Sequence, residues 1–261
     1  MKNILLTVEY DGTNFFGWQR QPGLRTVQGE LERVLSSLCR QNIILDGASR
    51  TDAGVHAFGQ KASFRGRFGI PTDRIPMAAN RLLIDNRRLT TGDVRILKAE
   101  EMNEEFHPRF DAIGKKYVYV MHNSREPNLM QRNYCYHVER PLDVKKMKIA
   151  AAGLIGKQDF ECFMAAGGKP PNTTVRTIFS AGLIINGNRI KFGIIGDGFL
   201  YNMVRIIAGT LVDIGLGKIP QDAMPGIIES RNRQQAGHTA PPGGLYLTQV
   251  YYDKEEMVYE N

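Results

Sequence analysis

The chain of 261 residues contains few cysteines and no cysteine pair of the kind that binds zinc. Cys39, Cys135 and Cys162 are odd in number and widely spaced, and no Cys-x-x-Cys sequence accompanies histidines at zinc-site spacing. We therefore expect reduced thiols rather than a disulfide framework, and no structural metal.

Long apolar runs are also missing. No stretch approaches the roughly 18 apolar residues that a membrane-spanning helix requires. The first residues, MKNILLTVEYDG, carry the acids Glu9 and Asp11 too early for a signal peptide. We expect a cytoplasmic protein with no membrane partner.

The motifs of several common enzyme classes are absent as well. The sequence contains no Gly-x-Ser-x-Gly, no phosphate-binding Gly-Lys-Ser/Thr loop and no dinucleotide-binding glycine fingerprint. No second carboxylate in a small-residue bend can be named to complete a glycosidase pair. The sequence therefore gives no sign of a metal, a nucleotide or any other small-molecule cofactor.

Basic residues, by contrast, are in excess. Lysine and arginine total 34 against 27 acids, which gives a formal charge of +7 and a pI near 9.3. This balance favours a polyanionic partner, although a solvated basic surface gives the same count. Eight of the basic residues lie close together in sequence: Lys61, Arg65, Arg67, Arg74, Arg81, Arg87, Arg88 and Arg95.

Strand-like and helical patterns mix along the chain without regular β-α-β alternation, which favours an α+β fold with a largely antiparallel sheet. The predicted strands are residues 4–10, 58–68, 93–99, 117–121, 175–185, 189–195 and 245–252. One predicted helix begins after its cap, Thr26. The other predicted helices cover residues 75–83, 144–155 and 199–215. We divide the chain into two α+β halves, residues 1–105 and 106–261.

One carboxylate, Asp52, lies in a bend of small residues, ASRTDAGVHA. An isolated Asp before Ala-Gly usually forms an Asx turn with its own backbone. Arg50 and His56 flank it, and a nearby guanidinium would keep the carboxylate ionised, as a nucleophile requires. Asp52 and His56 offer two metal ligands at most, so the residues favour covalent chemistry over metal binding.

SRTDAGVHA (residues 49–57) resembles the catalytic-aspartate motif of the pseudouridine synthases that act on tRNA. The family has glycine before the arginine, and Ser49 stands there in this chain. Four more segments resemble blocks of the same family, in its order: residues 9–32, 106–120, 196–211 and 243–252.

The resemblance implies residue roles that the sequence pattern does not show. Asp52 would be the nucleophile, Arg205 its partner, and Tyr117 the residue that stacks on the target base. Leu245 would lie near that base, and Arg50 would fill the gap left by the extruded uridine. Taken alone, Tyr117 and Leu245 are read as packing residues. Arg205, in an apolar helix, needs an anionic partner.

The same resemblance implies the pseudouridine synthase fold, with two similar halves sharing a central sheet beside a basic cleft. It also implies a homodimer without a cofactor that isomerises uridines 38, 39 and 40 of the tRNA anticodon stem-loop. The basic residues between 61 and 95 and the aromatic residues Phe15, Phe16 and Trp18 could supply contacts with the RNA. Whether Asp52 attacks the sugar C1′ or the uracil ring stays open. The alternatives are a non-catalytic RNA-binding protein and an Asp-nucleophile nucleoside hydrolase.

Overall fold

A computed structural model of the chain describes residues 1–84, 92–167 and 171–257. They fall into two compact units. Unit 1 comprises Met1–Ile113 and Leu247–Tyr252, and unit 2 comprises Gly114–Tyr246 and the described residues from Asp253 onward. The boundary between the units falls within the last strand of the chain, between Tyr246 and Leu247.

Unit 1 is a mainly antiparallel sheet with two helices. The elements are β1 (Lys2–Tyr10), α1 (Val27–Cys39), β2 (Asp46–Gly47), β3 (His56–Gly66), α2 (Ile75–Leu83) and β4 (Val94–Met102). Strand β1 runs antiparallel to both β3 and β4, and β2 pairs with β3. The unit 1 part of the last strand of the chain lies beside β3.

Helix α1 shows why this part of the sequence is helical. The Thr26 hydroxyl accepts a hydrogen bond from the Gly29 N–H at 3.3 Å and caps the first turn. Leu31, Val34 and Leu35 recur at helical spacing and are completely buried. The predicted cap at Thr26 and the predicted buried stripe are confirmed at these residues, and Leu38, predicted in the same stripe, is half-buried.

The elements of unit 2 are β5 (Gly114–Asn123), β6 (Tyr136–Val138), α3 (Val144–Ala152), β7 (Gly156–Asp159), β8 (Val175–Asn186), β9 (Arg189–Gly196), α4 (Met203–Gly215), α5 (Met224–Ser230) and the start of β10 (Leu245–Tyr251). Its antiparallel strands follow the order β5-β9-β8-β7, and the short strand β6 is parallel to β5.

The predicted α+β class and antiparallel pairing are confirmed, but some predicted bounds are wrong. Helix α4 begins at Met203 and not at residue 199, because Asn202 adopts a left-handed conformation with φ of 59° and ψ of 7°. Helix α3 ends at Ala152, three residues before the predicted end. Across the described ranges, no helix is long and apolar enough to cross a membrane.

Candidate active site

The loop that carries Asp52 is fixed by hydrogen bonds on both sides of the carboxylate. The Thr51 carbonyl accepts from the Trp18 N–H at 3.0 Å, and the Val55 N–H donates to the Asp52 carbonyl at 3.1 Å. The hydroxyls of Thr51 and Tyr10 lie 2.7 Å apart in a buried contact. The backbone at Asp52 is therefore held independently of its side chain.

Gln60 on β3 anchors the start of the same loop. Its buried amide donates to the Ser49 carbonyl at 2.8 Å and accepts from the Ser49 N–H at 3.2 Å. The neighbouring Ala48 N–H donates to the Lys61 carbonyl at 2.8 Å. The sequence pattern did not single out Gln60, because a glutamine within a strand pattern gives no signal of a loop contact.

Two glycines let the segment after β1 approach the Asp52 loop. Gly17 has φ of 86°, and a Cβ on it would lie 2.7 Å from the Thr51 carbonyl oxygen. A Cβ on Gly12 would collide with the Val55 carbonyl oxygen. Only glycine fits such close backbone contacts. The Asp11-Gly12 turn and the residues up to Trp18 therefore support the Asp52 loop.

The Asp52 side chain is partly exposed, and Ala53 and Arg50 are exposed. The carboxylate thus lies where a ligand could reach it, while its backbone is packed. Arg50, two residues before Asp52 in sequence, is on the surface.

His56, predicted as a companion of Asp52, is buried and contacts the Asp-Gly turn. Its Nδ1 lies 3.1 Å from the Gly12 nitrogen and 3.2 Å from an Asp11 carboxylate oxygen. Accepting from Gly12 requires an unprotonated Nδ1, and pairing with Asp11 requires a protonated one, so the two contacts alternate.

Three of the remaining predicted site residues lie in unit 2. Tyr117 is buried on β5, and its ring meets that of Phe199 edge to face at 5.1 Å. Leu245 is buried at the first position of β10. Both therefore make the packing contacts that the sequence pattern alone predicts for them.

Arg205 is held at two of its nitrogen atoms. Nε donates to the Ala240 carbonyl at 2.8 Å, and Nη1 donates to the Asn202 side-chain oxygen at 2.9 Å. The nearby Tyr119 hydroxyl donates to the Pro241 carbonyl at 2.7 Å. Burial raises the pKa of Tyr119 well above its usual range, although the Arg205 charge acts in the opposite direction.

The expected stacking surface for RNA is only partly available. Trp18 and Phe15 are buried, at 1% and 3% exposure, so neither can stack on a base, and that prediction is wrong for both. The Trp18 ring centroid lies 6.1 Å from that of Tyr10, and the Arg25 guanidinium lies 4.2 Å from the Phe15 ring centroid. Phe16 is 54% exposed and remains a candidate.

The basic stretch between residues 61 and 95 is partly neutralised by nearby acids. Lys61, Arg74 and Arg95 form ion pairs with Glu100, Asp73 and Glu9. The exposed residues Arg65, Arg67 and Arg81 also belong to this stretch, and Arg87 and Arg88 lie outside the described residues.

Within the part of the chain that the structure describes, no three His, Cys, Asp or Glu side chains come together as a possible metal site. The chemistry available around Asp52 is that of a partly exposed carboxylate in a rigid bend. Such a group can act as a nucleophile.

A family model described as tRNA pseudouridine synthase matches residues 6–111 and 150–253 of this chain. A tRNA pseudouridine synthase A of Acetivibrio thermocellus is 48% identical over 252 residues, which cover 97% of this chain and 100% of that protein. A tRNA pseudouridine synthase A of Caldicellulosiruptor bescii is 44% identical with the same coverage.

A solved structure titled "Crystal Structure of a Cbf5-Nop10-Gar1 Complex" matches with a TM-score of 0.37 and 10% identity, over 93% of this chain and 57% of that one. No conclusion rests on so weak a likeness. The family model and the relatives are sufficient: the chain belongs to the tRNA pseudouridine synthase family. The predicted family and the predicted isomerase activity are confirmed.

Proposed function

We propose that this chain converts uridine to pseudouridine at positions 38, 39 and 40 of the tRNA anticodon stem-loop, with Asp52 as the nucleophile. The observation that carries the proposal is a partly exposed carboxylate in a bend whose backbone is fixed on both sides. This arrangement occurs in a chain of the tRNA pseudouridine synthase family.

The reaction balances without any added oxidant, reductant or group donor. The N1–C1′ bond of the uridine breaks, the base turns, and a C5–C1′ bond forms. The proton on C5 is released, and N1 gains a proton. An ionised carboxylate can attack either C1′ or the uracil ring and then leave again.

Asp52 suits this role because the backbone of its loop is already fixed while the residue itself is partly exposed to a substrate. Hydrogen bonds to Thr51 and Ser49 hold the backbone on the amino-terminal side. Ala53 and Gly54 follow the nucleophile, and their small size leaves room for a flipped base. Extruding a base from a stem costs a few kcal/mol, which contacts with the RNA must offset.

The other roles follow the family resemblance. Arg205 would pair with the Asp52 carboxylate and keep it ionised. Tyr117 would stack on the target uracil, Leu245 would contact its apolar edge, and Arg50 would enter the stem in place of the base. Phe16 is the exposed aromatic residue that could contact the RNA near the nucleophile.

A homodimer in the cytoplasm is also part of the proposal, and it rests on the resemblance alone. Sedimentation equilibrium of the purified chain measures its mass in solution. A mass of one chain at micromolar concentration would contradict the dimer and leave the proposed chemistry untouched.

The experiment that tests the activity maps the product in RNA. Unmodified tRNA transcript is incubated with the protein without added metal or nucleotide, and pseudouridine is located by carbodiimide modification and primer extension. We expect new stops corresponding to positions 38, 39 and 40. Stops elsewhere in the transcript would contradict the assigned positions.

The same reaction distinguishes the alternatives. A non-catalytic RNA-binding protein would bind the transcript and leave every uridine unchanged. A nucleoside hydrolase would release free uracil, which chromatography of the supernatant detects. Either result would overturn the proposed isomerisation.

A further inference from the structure

Residues 237–241 form an extended segment that is bound along helix α4 in unit 2. The Gly237 N–H donates to the Thr210 hydroxyl at 2.9 Å, and the Ala240 N–H donates to the Arg205 carbonyl at 3.1 Å. Between these bonds, a Cβ on Gly209 would collide with the His238 carbonyl oxygen. The segment and the helix are therefore in close contact from Arg205 to Thr210, which is more than one helical turn.

A buried carboxylate, Asp213, fixes one end of this segment. Its Oδ2 lies 2.9 Å from His238 Nδ1 and accepts from the His238 backbone N–H at 3.2 Å. Its Oδ1 accepts from Lys218 Nζ at 2.9 Å. Burial alone would raise the pKa of Asp213, but the hydrogen bonds from His238 and Lys218 outweigh it and hold that pKa below its usual value.

The second ring nitrogen of His238 contacts the hydroxyl of Tyr136. Its Nε2 lies 3.2 Å from the Tyr136 hydroxyl. Burial first, and the Asp213 charge second, raise the pKa of Tyr136, so its hydroxyl stays protonated and able to donate. When Nδ1–H donates to Asp213 and Nε2 accepts from Tyr136, both ring nitrogens of His238 have a hydrogen-bond partner.

The far end of the segment presents two consecutive carbonyls to two side chains. The Ala240 carbonyl accepts from Arg205 Nε at 2.8 Å, and the Pro241 carbonyl accepts from the Tyr119 hydroxyl at 2.7 Å. A displacement of the segment would therefore move the acceptor that orients the Arg205 guanidinium. His238 acts on Arg205 through the backbone that joins it to Ala240.

We infer that Asp213 and His238 are positioning residues: they hold residues 237–241 against α4 so that the Ala240 carbonyl keeps Arg205 oriented for catalysis. The inference rests on the proposed function, in which Arg205 pairs with the nucleophile. Misplacing a reacting group by about 1 Å can cost on the order of 100-fold in rate. Loss of the contact between His238 and Asp213 should therefore lower the rate of the chemical step by about 10- to 100-fold.

Two substitutions of His238 distinguish the loss of the hydrogen bond to Asp213 from the loss of the imidazole ring itself. In His238→Asn, the amide nitrogen takes the place of Nδ1 and can still donate to Asp213. In His238→Gln, the amide nitrogen takes the place of Nε2, and the Asp213 contact is lost. We expect a single-turnover rate within about threefold of wild type for His238→Asn and a loss of about tenfold or more for His238→Gln.

A matched control removes hydrogen bonds elsewhere in unit 2. The Asn123 side chain binds the Val138 and Arg140 carbonyls and the Leu142 N–H, none of which belongs to residues 237–241. Asn123→Ala should lower the melting temperature at least as much as His238→Gln while retaining the wild-type single-turnover rate at a temperature where both are folded. The Kd for tRNA should change by less than about twofold in every variant.

Three outcomes would overturn the inference. His238→Gln could react as fast as wild type, His238→Asn could be as slow as His238→Gln, or Asn123→Ala could lose as much rate as His238→Gln. Arg205→Ala, run in parallel, identifies which proposal fails. If Arg205→Ala keeps the wild-type rate, the proposed role of Arg205 is wrong. If it is slow and His238→Gln is not, only the positioning role is wrong.

Discussion

The Tyr10 and Thr51 hydroxyls lie 2.7 Å apart, and they join the last residue of β1 to the residue that precedes the proposed nucleophile. Both side chains are buried. The strand thereby fixes the loop through a contact that leaves the Asp52 side chain accessible. The Asp52 loop is consequently fixed to a strand of the sheet.

Removing this contact should weaken the loop. In Tyr10→Phe, the Thr51 hydroxyl loses its buried partner, which costs about 1–3 kcal/mol of unfolding free energy. Urea unfolding measures this loss. In the background of Thr51→Val, the same Tyr10 substitution should cost clearly less, because no polar group is then left unpaired. Equal costs in both backgrounds would show that the hydroxyl contact contributes nothing.

Gly17→Ala should be destabilising for two reasons. Its φ of 86° disfavours a side chain, and the new Cβ would lie 2.7 Å from the Thr51 carbonyl oxygen. We expect a loss of more than about 1 kcal/mol and a slower reaction. Gly23→Ala is the control, since Gly23 has φ of 72° but no atom within 4 Å of the new Cβ. A similar loss in both variants would mean that the Thr51 contact adds nothing.

The three cysteines should be unreactive in the folded protein. Burial raises the pKa of the Cys39 and Cys135 thiols, and it raises that of Cys162 to about 12. Since the thiolate is the reactive form, Ellman's reagent at pH 8 should react slowly with the native chain and rapidly with all three thiols in guanidinium. Fast labelling of the native protein would contradict the buried placement.

Stability at acid pH should depend on Asp213. Its pKa is lower in the folded state than the unfolded value of about 3.9, so its contribution is fully present above that value. The contribution is lost as pH falls below about 4 toward the folded pKa. Thermal unfolding between pH 6 and pH 3 should thus be less pH-dependent in Asp213→Asn than in wild type. Parallel curves for the two proteins would contradict this linkage.

The sequence predicts the fold well where periodicity is strong. The α1 stripe and the opening strand need only local patterning, and both are present. The sequence predicts the start of α4 too early because residues 199–201 are apolar or aromatic and extend the helical pattern, whereas Asn202 adopts a left-handed conformation. The short elements β6, β7 and α5 have too few residues for a periodic signal.

The supports of the candidate site were the least predictable part. Nothing local in the sequence distinguishes Gln60 from a solvent-facing strand residue, or relates Asp213 to His238 across 25 residues. Phe15 and Trp18 illustrate the converse error. An aromatic cluster predicts either a stacking surface or core packing, and only the surrounding fold shows that these two rings are buried.

The proposed role of Asp52 is tested most directly with tRNA that carries tritium at uracil C5, because isomerisation must release that label to water. Wild type, Asp52→Asn and Asp46→Asn are compared under single-turnover conditions. Asp46 is an exposed aspartate on β2 of the same unit, so its substitution controls for the lost charge.

Wild type and Asp46→Asn should release tritium at similar rates. Asp52→Asn should bind the same tRNA and release none above background. Release by Asp52→Asn at the wild-type rate would contradict the account.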